Sequence, residues 1–234
     1  MNTFRGTATA TGVLYILAAA ASIAGLLLYG PVLDDPLYVV GGRPHGAELA
    51  SGALLEMVLA FSVIGTGVVM FPVVRRLSES VALGYACFRL LEAAVIVVGV
   101  VSVLSVLTLG RDFSAAADPQ PAAYLGAGRA LVAVHDWTFL AGPNLALGPS
   151  TLMMGWFLHR SRLVPRFIAV MGMVGGPLIF ASAVLVLFGV YEQISLWGSL
   201  AALPVFAYEM ALAGRLVVRG FDRAAVARLL AREA

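Results

Sequence analysis

Residues 81–109 read VALGYACFRLLEAAVIVVGVVSVLSVLTL, an unbroken apolar run in which Arg89 and Glu92 are the only charged side chains. A helix crossing the hydrocarbon core of a bilayer takes about 20 apolar residues, and this run exceeds that length. A helix apolar on all faces belongs in a membrane or in the core of a much larger protein.

The rest of the chain repeats the pattern. Of 234 residues, 61% are hydrophobic and 12% charged, with a mean hydropathy of +0.95, whereas soluble domains carry roughly 25% charged residues. The composition excludes an ordinary soluble domain and equally a disordered chain. Charged and turn-forming residues divide the sequence into six apolar segments, 7–30, 48–74, 81–109, 122–158, 164–190 and 194–218, each long enough to cross. The predicted fold is all-α: one integral membrane domain of six transmembrane helices, followed by a cytoplasmic tail over 219–234. Connections carry loop formers, Asp34, Asp35, Pro36, Gly41, Gly42 and Pro44 in the first, and Asp112, Asp118, Pro119 and Pro121 in the third. The last is only 191–193, and none has room for a soluble domain.

All 15 basic residues are arginines. Arg5, then Arg75 and Arg76, then Arg160, Arg162 and Arg166, then Arg219, Arg223, Arg228 and Arg232 fall at alternate ends of successive segments. Arg43 and Arg111 are the loop arginines of the opposite side. Cytoplasmic loops retain positive charge, so both termini are expected in the cytoplasm. Tyr191 and Trp197 then belong to an outer aromatic belt, and Trp156 and Phe157 to an inner one. The tail alternates Arg with Ala and Leu, the pattern of a short amphipathic helix on the membrane surface or of a frayed end. Arg5 followed by an apolar stretch over 11–29 imitates a secretory signal, but that stretch exceeds the roughly 7–15 residues of a signal core, and it reads as an uncleaved first helix. The single cysteine, Cys87, offers neither an internal disulfide nor a cysteine-ligated metal site. With 15 basic against 13 acidic residues, nothing points to nucleic acid.

Unpaired charges within a bilayer cost several kcal/mol each, so the intramembrane ones are the informative residues: Glu56, Arg89, Glu92, His135, Asp136 and Glu209. Counting about 1.5 Å per helical residue from the nearest cytoplasmic arginine puts Arg89 at roughly 20 Å, Glu92 at roughly 24 Å and Glu56 at roughly 28 Å. Asn144, Ser22 and Ser182 come to roughly 24 Å, so five helices deliver a polar side chain to one level. Tyr85, Arg89, Glu92, Ile96 and Gly99 share one face of the third helix. Gly52, Glu56, Ala60, Val63 and Gly67 form a mostly small-residue stripe on the second, and Thr11, Tyr15, Ala18, Ser22 and Gly25 one on the first. Pro143 removes a backbone donor, freeing the carbonyl of Phe139 and predicting a kink beside Asn144. His135 and Asp136, at roughly 36 Å, fall at the outer rim as a solvated pair, and Glu209, at roughly 9–15 Å, stands apart near the cytoplasmic side, reaching the interface or pairing with Arg215.

The expected site is an outward-opening pocket with Glu56, Arg89, Glu92 and Asn144 at its floor; His135, Asp136, Glu209, Ser22 and Ser182 are secondary candidates. Two carboxylates against one guanidinium would bind a proton, a cation or a small cationic ligand. One reading is therefore a transporter or ligand-binding protein, with Glu56 and Glu92 as acceptors, Arg89 as counter-ion and Asn144 as an uncharged contact. The alternative is a structural or accessory protein in which Arg89 clamps its neighbours and sets helix register, with no transport. Six spans place two halves of three in opposite orientation, as in inverted-repeat transporters, although no similarity between the halves is visible.

Enzyme signatures are missing. There is no Gly-x-Ser-x-Gly elbow, no His-Glu-x-x-His, no phosphate loop and no histidine pair for haem, with His45, His135 and His159 scattered. No cofactor, metal or catalytic residue is expected. The lipid bilayer is the expected partner, a homo-oligomer being an open alternative to a monomer.

The stretches YACFRLLE (85–92), NLALGPSTLMMG (144–155), SRLVPRFIAVMG (161–172) and EMALAGRLVVRGF (209–221) resemble an uncharacterised family of bacterial multi-pass membrane proteins, the domain of unknown function 4386. The similarity runs over most of the chain. It implies a bacterial plasma (inner) membrane protein of about this length and span count, and no activity. Arg89, Glu92, Asn144 and Glu209 match polar positions of the family pattern, while Arg215 stands where it has an aromatic residue.

Overall fold

The computed structural model describes residues 2–35, 37–41 and 46–231, and all regular structure among them is helical. The chain runs through α1 (Asn2–Leu33), α2 (Gly46–Val74), α3 (Glu79–Ala115), α4 (Pro121–Leu140), a π-helical turn (Ala141–Ala146), α5 (Leu147–Ser161), α6 (Arg166–Leu187), α7 (Leu196–Val218) and α8 (Arg223–Leu230). Helix starts are set locally: the side chains of Ser78, Ser195 and Asp222 accept from the amides of Val81, Gly198 and Ala225 at the N-termini of α3, α7 and α8. Pro36, Gly42, Arg43, Pro44, His45 and Arg232 lie outside the described residues.

By length and composition α1, α2, α3, α6 and α7 can each cross a membrane. The segment 122–158, expected as one crossing with a kink beside Asn144, is divided into α4, the π turn and α5. Pro143 lies inside the turn, and the cause is its missing N–H and the clash of its ring with the carbonyl four residues back. A π turn absorbs both without ending the helical run, and every backbone junction from Leu140 to Leu147 stays right-handed helical. The final connection is also longer than 191–193, since α6 stops at Leu187 and α7 starts at Leu196.

Two apolar cores occupy the two ends of the bundle. The first gathers Ala8 from the start of α1, Val73 and Val74 from the end of α2, Ala82 from the start of α3, Leu158 from α5, Ile168 from the start of α6, Leu216 from the end of α7 and Leu229 from α8. Successive long helices, with α4, the π turn and α5 as one run, therefore alternate in direction, and this end carries Arg5, Arg75, Arg76, Arg160, Arg162, Arg166, Arg219, Arg223 and Arg228. The second core joins Tyr29 and Val32 of α1, Tyr38 and Val39 of the first connection, Leu49 and Ala53 of α2, and Val100, Val103 and Val106 of α3. The polar site lies between the two.

Two surface expectations change in the folded chain. Phe157, assigned to an aromatic belt, is fully buried in the first core, while its neighbour Trp156 stays partly exposed under the Arg160 guanidinium, 5.9 Å from its ring centre. The tail does form a helix, α8, but its apolar face of Ala225, Val226 and Leu229 packs against the bundle, and the Asp222 amide donates to the Leu163 carbonyl at 2.9 Å.

Candidate functional site

Arg89 is the hub. It sits on the α3 face that also buries Tyr85, Glu92, Ile96 and Gly99. Gly67 of α2 faces α3 here at ordinary contact distance: a Cβ on it would lie 3.4 Å from the Arg89 Cβ and 3.5 Å from the Ala86 Cα. The guanidinium Nη1 donates to Glu92 Oε2 at 3.1 Å, one turn along the same helix. Nη2 donates to the Tyr15 hydroxyl of α1 at 3.1 Å and to Glu209 Oε1 of α7 at 3.2 Å, and Nε to the Tyr85 hydroxyl at 3.3 Å. The two tyrosine hydroxyls are 3.2 Å apart, and that of Tyr85 reaches Thr66 Oγ1 of α2 at 3.3 Å. Both phenol rings also lie near the cation, with centres 5.4 and 5.5 Å from the guanidinium carbon. Arginine has five donors in a fixed fork, so acceptors from α1, α3 and α7 converge on a nearly saturated cation, with α2 joined through Thr66 and Tyr85.

Glu209 is the member that depth counting assigned elsewhere. Helical side chains lean toward their own N-terminus. The arginine-rich end holds the start of α3 and the end of α7, so Arg89 leans toward that end and Glu209 leans away from it. Two long side chains thus close an axial gap that a Cα count leaves open. The same lean separates Glu56 from the site: α2 ends at the arginine-rich end, so Glu56, already the deepest by count, leans further from Arg89. The expected Arg89–Glu56 pair is therefore absent, and Glu209 takes its place. Tyr15, Thr66 and Tyr85 were not among the candidates. Tyr85 was readable as a partner, one turn before Arg89 on the same face; Thr66 carried no such signal.

Glu56 joins a second cluster. A Cβ on Gly25 would meet its Cγ at 3.1 Å, which places its side chain against α1. Together with His135, Gly99, Thr138 and Pro143 it borders a cavity of about 10 Å³. His135, expected at a solvated rim, is 3% exposed, whereas Asp136 beside it is open to the surface with its side chain 3.6 Å from His135 Nδ1. The reason is rotational: on α4 these neighbours point about 100° apart, His135 toward Tyr29 of α1 and stacked on Phe139. The Tyr29 hydroxyl and His135 Nδ1 are buried without a hydrogen bond among the described residues.

A cavity of about 230 Å³ opens directly beside Arg89, Glu92 and Glu209. Asn144 of the π turn and Ser22 of α1 line it, as do apolar residues of α1, α2, α3, α6 and α7. Ser182 does not; its hydroxyl accepts from Tyr191 at 2.7 Å near the end of α6. Each carboxylate spends one oxygen on Arg89, and Glu92 Oε1 and Glu209 Oε2 make no hydrogen bond among the described residues. The lining thus offers two charged acceptors, an amide and a hydroxyl around an apolar chamber, the composition of a small-molecule site.

No curated protein and no solved structure matches the chain. Residues 10–220 match the model of a family described as a domain of unknown function (DUF4386), and the chain belongs to that family.

Proposed function

We propose that this family member is a six-span transporter, or ligand-binding membrane protein, whose cargo or coupling cation occupies the chamber beside Arg89, Glu92 and Glu209. The sixth crossing in this reading is the continuous run of α4, the π turn and α5, and both termini face the cytoplasm of a bacterial plasma membrane, as the one-sided arginines favour. The observation that carries the reading is the chamber itself: the buried Glu92 and the part-buried Glu209 border a space of about 230 Å³ with an oxygen each to spare. Glu92 and Glu209 accept the proton or cation, Arg89 holds them in place as counter-ion, and Asn144 contacts the ligand without charge. His135 and Asp136, facing different surroundings, have no part in it.

A second reading is favoured by the near-complete hydrogen bonding of Arg89, which suits a clamp that fixes the register of α1, α2, α3 and α7. Glu92→Gln separates the two. In proteoliposomes carrying a pH-sensitive dye and challenged with an acid or sodium jump, the transport reading expects a protein-dependent flux that this variant loses while its unfolding midpoint holds. A wild-type protein without flux, and a variant that unfolds markedly earlier, would sink the transport reading in favour of the clamp.

A further inference from the structure

The chamber has a side on the lipid. At the arginine-rich end α1 and α7 are in tight contact: a Cβ on Gly12 would come within 2.7 Å of Val217 Cγ2, and Arg5 Nη2 donates to the Val217 carbonyl at 2.8 Å. About two to four turns further from that end the same two helices stand either side of the chamber, which they line with Ala19 and Ile23 from α1 and Ala202 and Phe206 from α7. Ile23 is 54% and Phe206 46% exposed, although both border the cavity. A residue that lines a cavity and also lies on the surface marks an opening, and both helices have the length and composition of membrane spans, so this opening faces acyl chains. Glu209, with a side chain 16% exposed against 3% for Arg89 and 5% for Glu92, is the charged group nearest to it.

Charge selects what passes. The chamber holds two carboxylates and one guanidinium, which spends its donors on the protein, while Glu92 Oε1 and Glu209 Oε2 remain as acceptors. A second cation carrying N–H groups satisfies both, and a bare anion meets like charge. Small and apolar side chains along the opening suit a hydrocarbon or aromatic tail. We propose that the wedge between α1 and α7 admits, from the lipid side, a small amphiphilic organic cation whose ammonium group docks between Glu92 and Glu209. This rests on the reading that the chamber is a ligand site.

The test uses full-length protein in lipid nanodiscs with three probes of one shape, 4-phenylbutylammonium, 4-phenylbutanol and 4-phenylbutyrate. Calorimetry should show saturable binding of the ammonium, at least ~10-fold tighter than the alcohol, with the preference lost in Glu209→Gln. Equal or tighter binding of the alcohol or the carboxylate overturns the assignment of charge. Filling the wedge with Ala19→Phe and Ala202→Phe should slow ammonium association ~10-fold; an unchanged rate overturns the route. Should that double variant not fold, a nitroxide at Phe206→Cys in a Cys87→Ala background reads the same point, because collisions dominated by oxygen indicate lipid, and collisions dominated by a water-soluble nickel complex overturn the proposal. Failure of all three probes to bind while the proteoliposome flux persists defeats this substrate class and leaves transport standing. Ammonium binding without any flux does the reverse.

Discussion

Around Arg89, the side chains of Tyr15, Tyr85, Glu92 and Glu209 are tied by hydrogen bonds to one cation beside an open chamber. Around Glu56, one level further from the arginine-rich end, a carboxylate, an imidazole and a phenol are buried together beside a cavity of about 10 Å³, at the lower limit for a single water, and neither His135 Nδ1 nor the Tyr29 hydroxyl has a hydrogen-bond partner among the described residues. The two clusters lie in one bundle and draw on the same helices. Their difference is that the first has a permanent charge to organise it and the second does not. A guanidinium cannot shed its proton in a protein, so it must be surrounded by acceptors, and those acceptors come from several helices at once. A carboxylate or imidazole can be neutral, and its neighbours are then free to be apolar.

The contrast is tested by how much stability each cluster supplies. The largest effect belongs to Arg89→Met, which leaves Glu92 and Glu209 buried without a counter-ion and is expected to cost about 3–5 kcal/mol in reversible unfolding from lipid. Adding Glu92→Gln and Glu209→Gln to that variant should restore most of the loss, since the damage is the stranded charge; no recovery would mean the packing of Arg89, not its charge, matters. Next, Tyr85→Phe removes the acceptor of Arg89 Nε and a neighbour of Tyr15 and Thr66, at an expected cost of about 1–3 kcal/mol by the same measurement. In the second cluster Tyr29→Phe deletes a hydroxyl with no hydrogen-bond partner among the described residues, so stability should stay within about 0.5 kcal/mol or rise. A loss of more than 1 kcal/mol there, on the order of a hydrogen bond, would show that Tyr29 is bonded after all and abolish the contrast. The smallest change is expected of Asp136→Asn, an exposed side chain that reaches the second cluster only at 3.6 Å from His135 Nδ1, and unfolding midpoints indistinguishable from wild type would agree with it.

Parts of this arrangement were legible from residue order. The α3 stripe Tyr85, Arg89, Glu92, Ile96, Gly99 and the α2 stripe Gly52, Glu56, Ala60, Val63, Gly67 are buried throughout, as a repeat of three and four residues on each helix indicates. Asn144 and Ser22 reach the chamber from the depth that counting assigned to them. Counting failed at Glu56 and Glu209 because it measures where a Cα sits along its own axis, and a side chain some 5 Å long can move its functional atoms a full turn either way; the short Ser182 is held by Tyr191 instead. His135 and Asp136 do lie within 3.6 Å of each other, but not as a solvated pair: adjacent helical residues look in different directions, and only Asp136 reaches the surface.

Hydropathy alone determined that this chain is a membrane protein built of helices, because hydrocarbon offers backbone amides no partner but their own chain, and that requirement acts on each segment separately. One-sided arginines likewise depend only on which end of a segment they occupy. Which acidic residue meets Arg89 was decided by the tertiary structure. Three glutamates stood within reach in the sequence, and the choice of Glu92 and Glu209 over Glu56 came from helix direction and side-chain lean, relations between helices that no single segment contains.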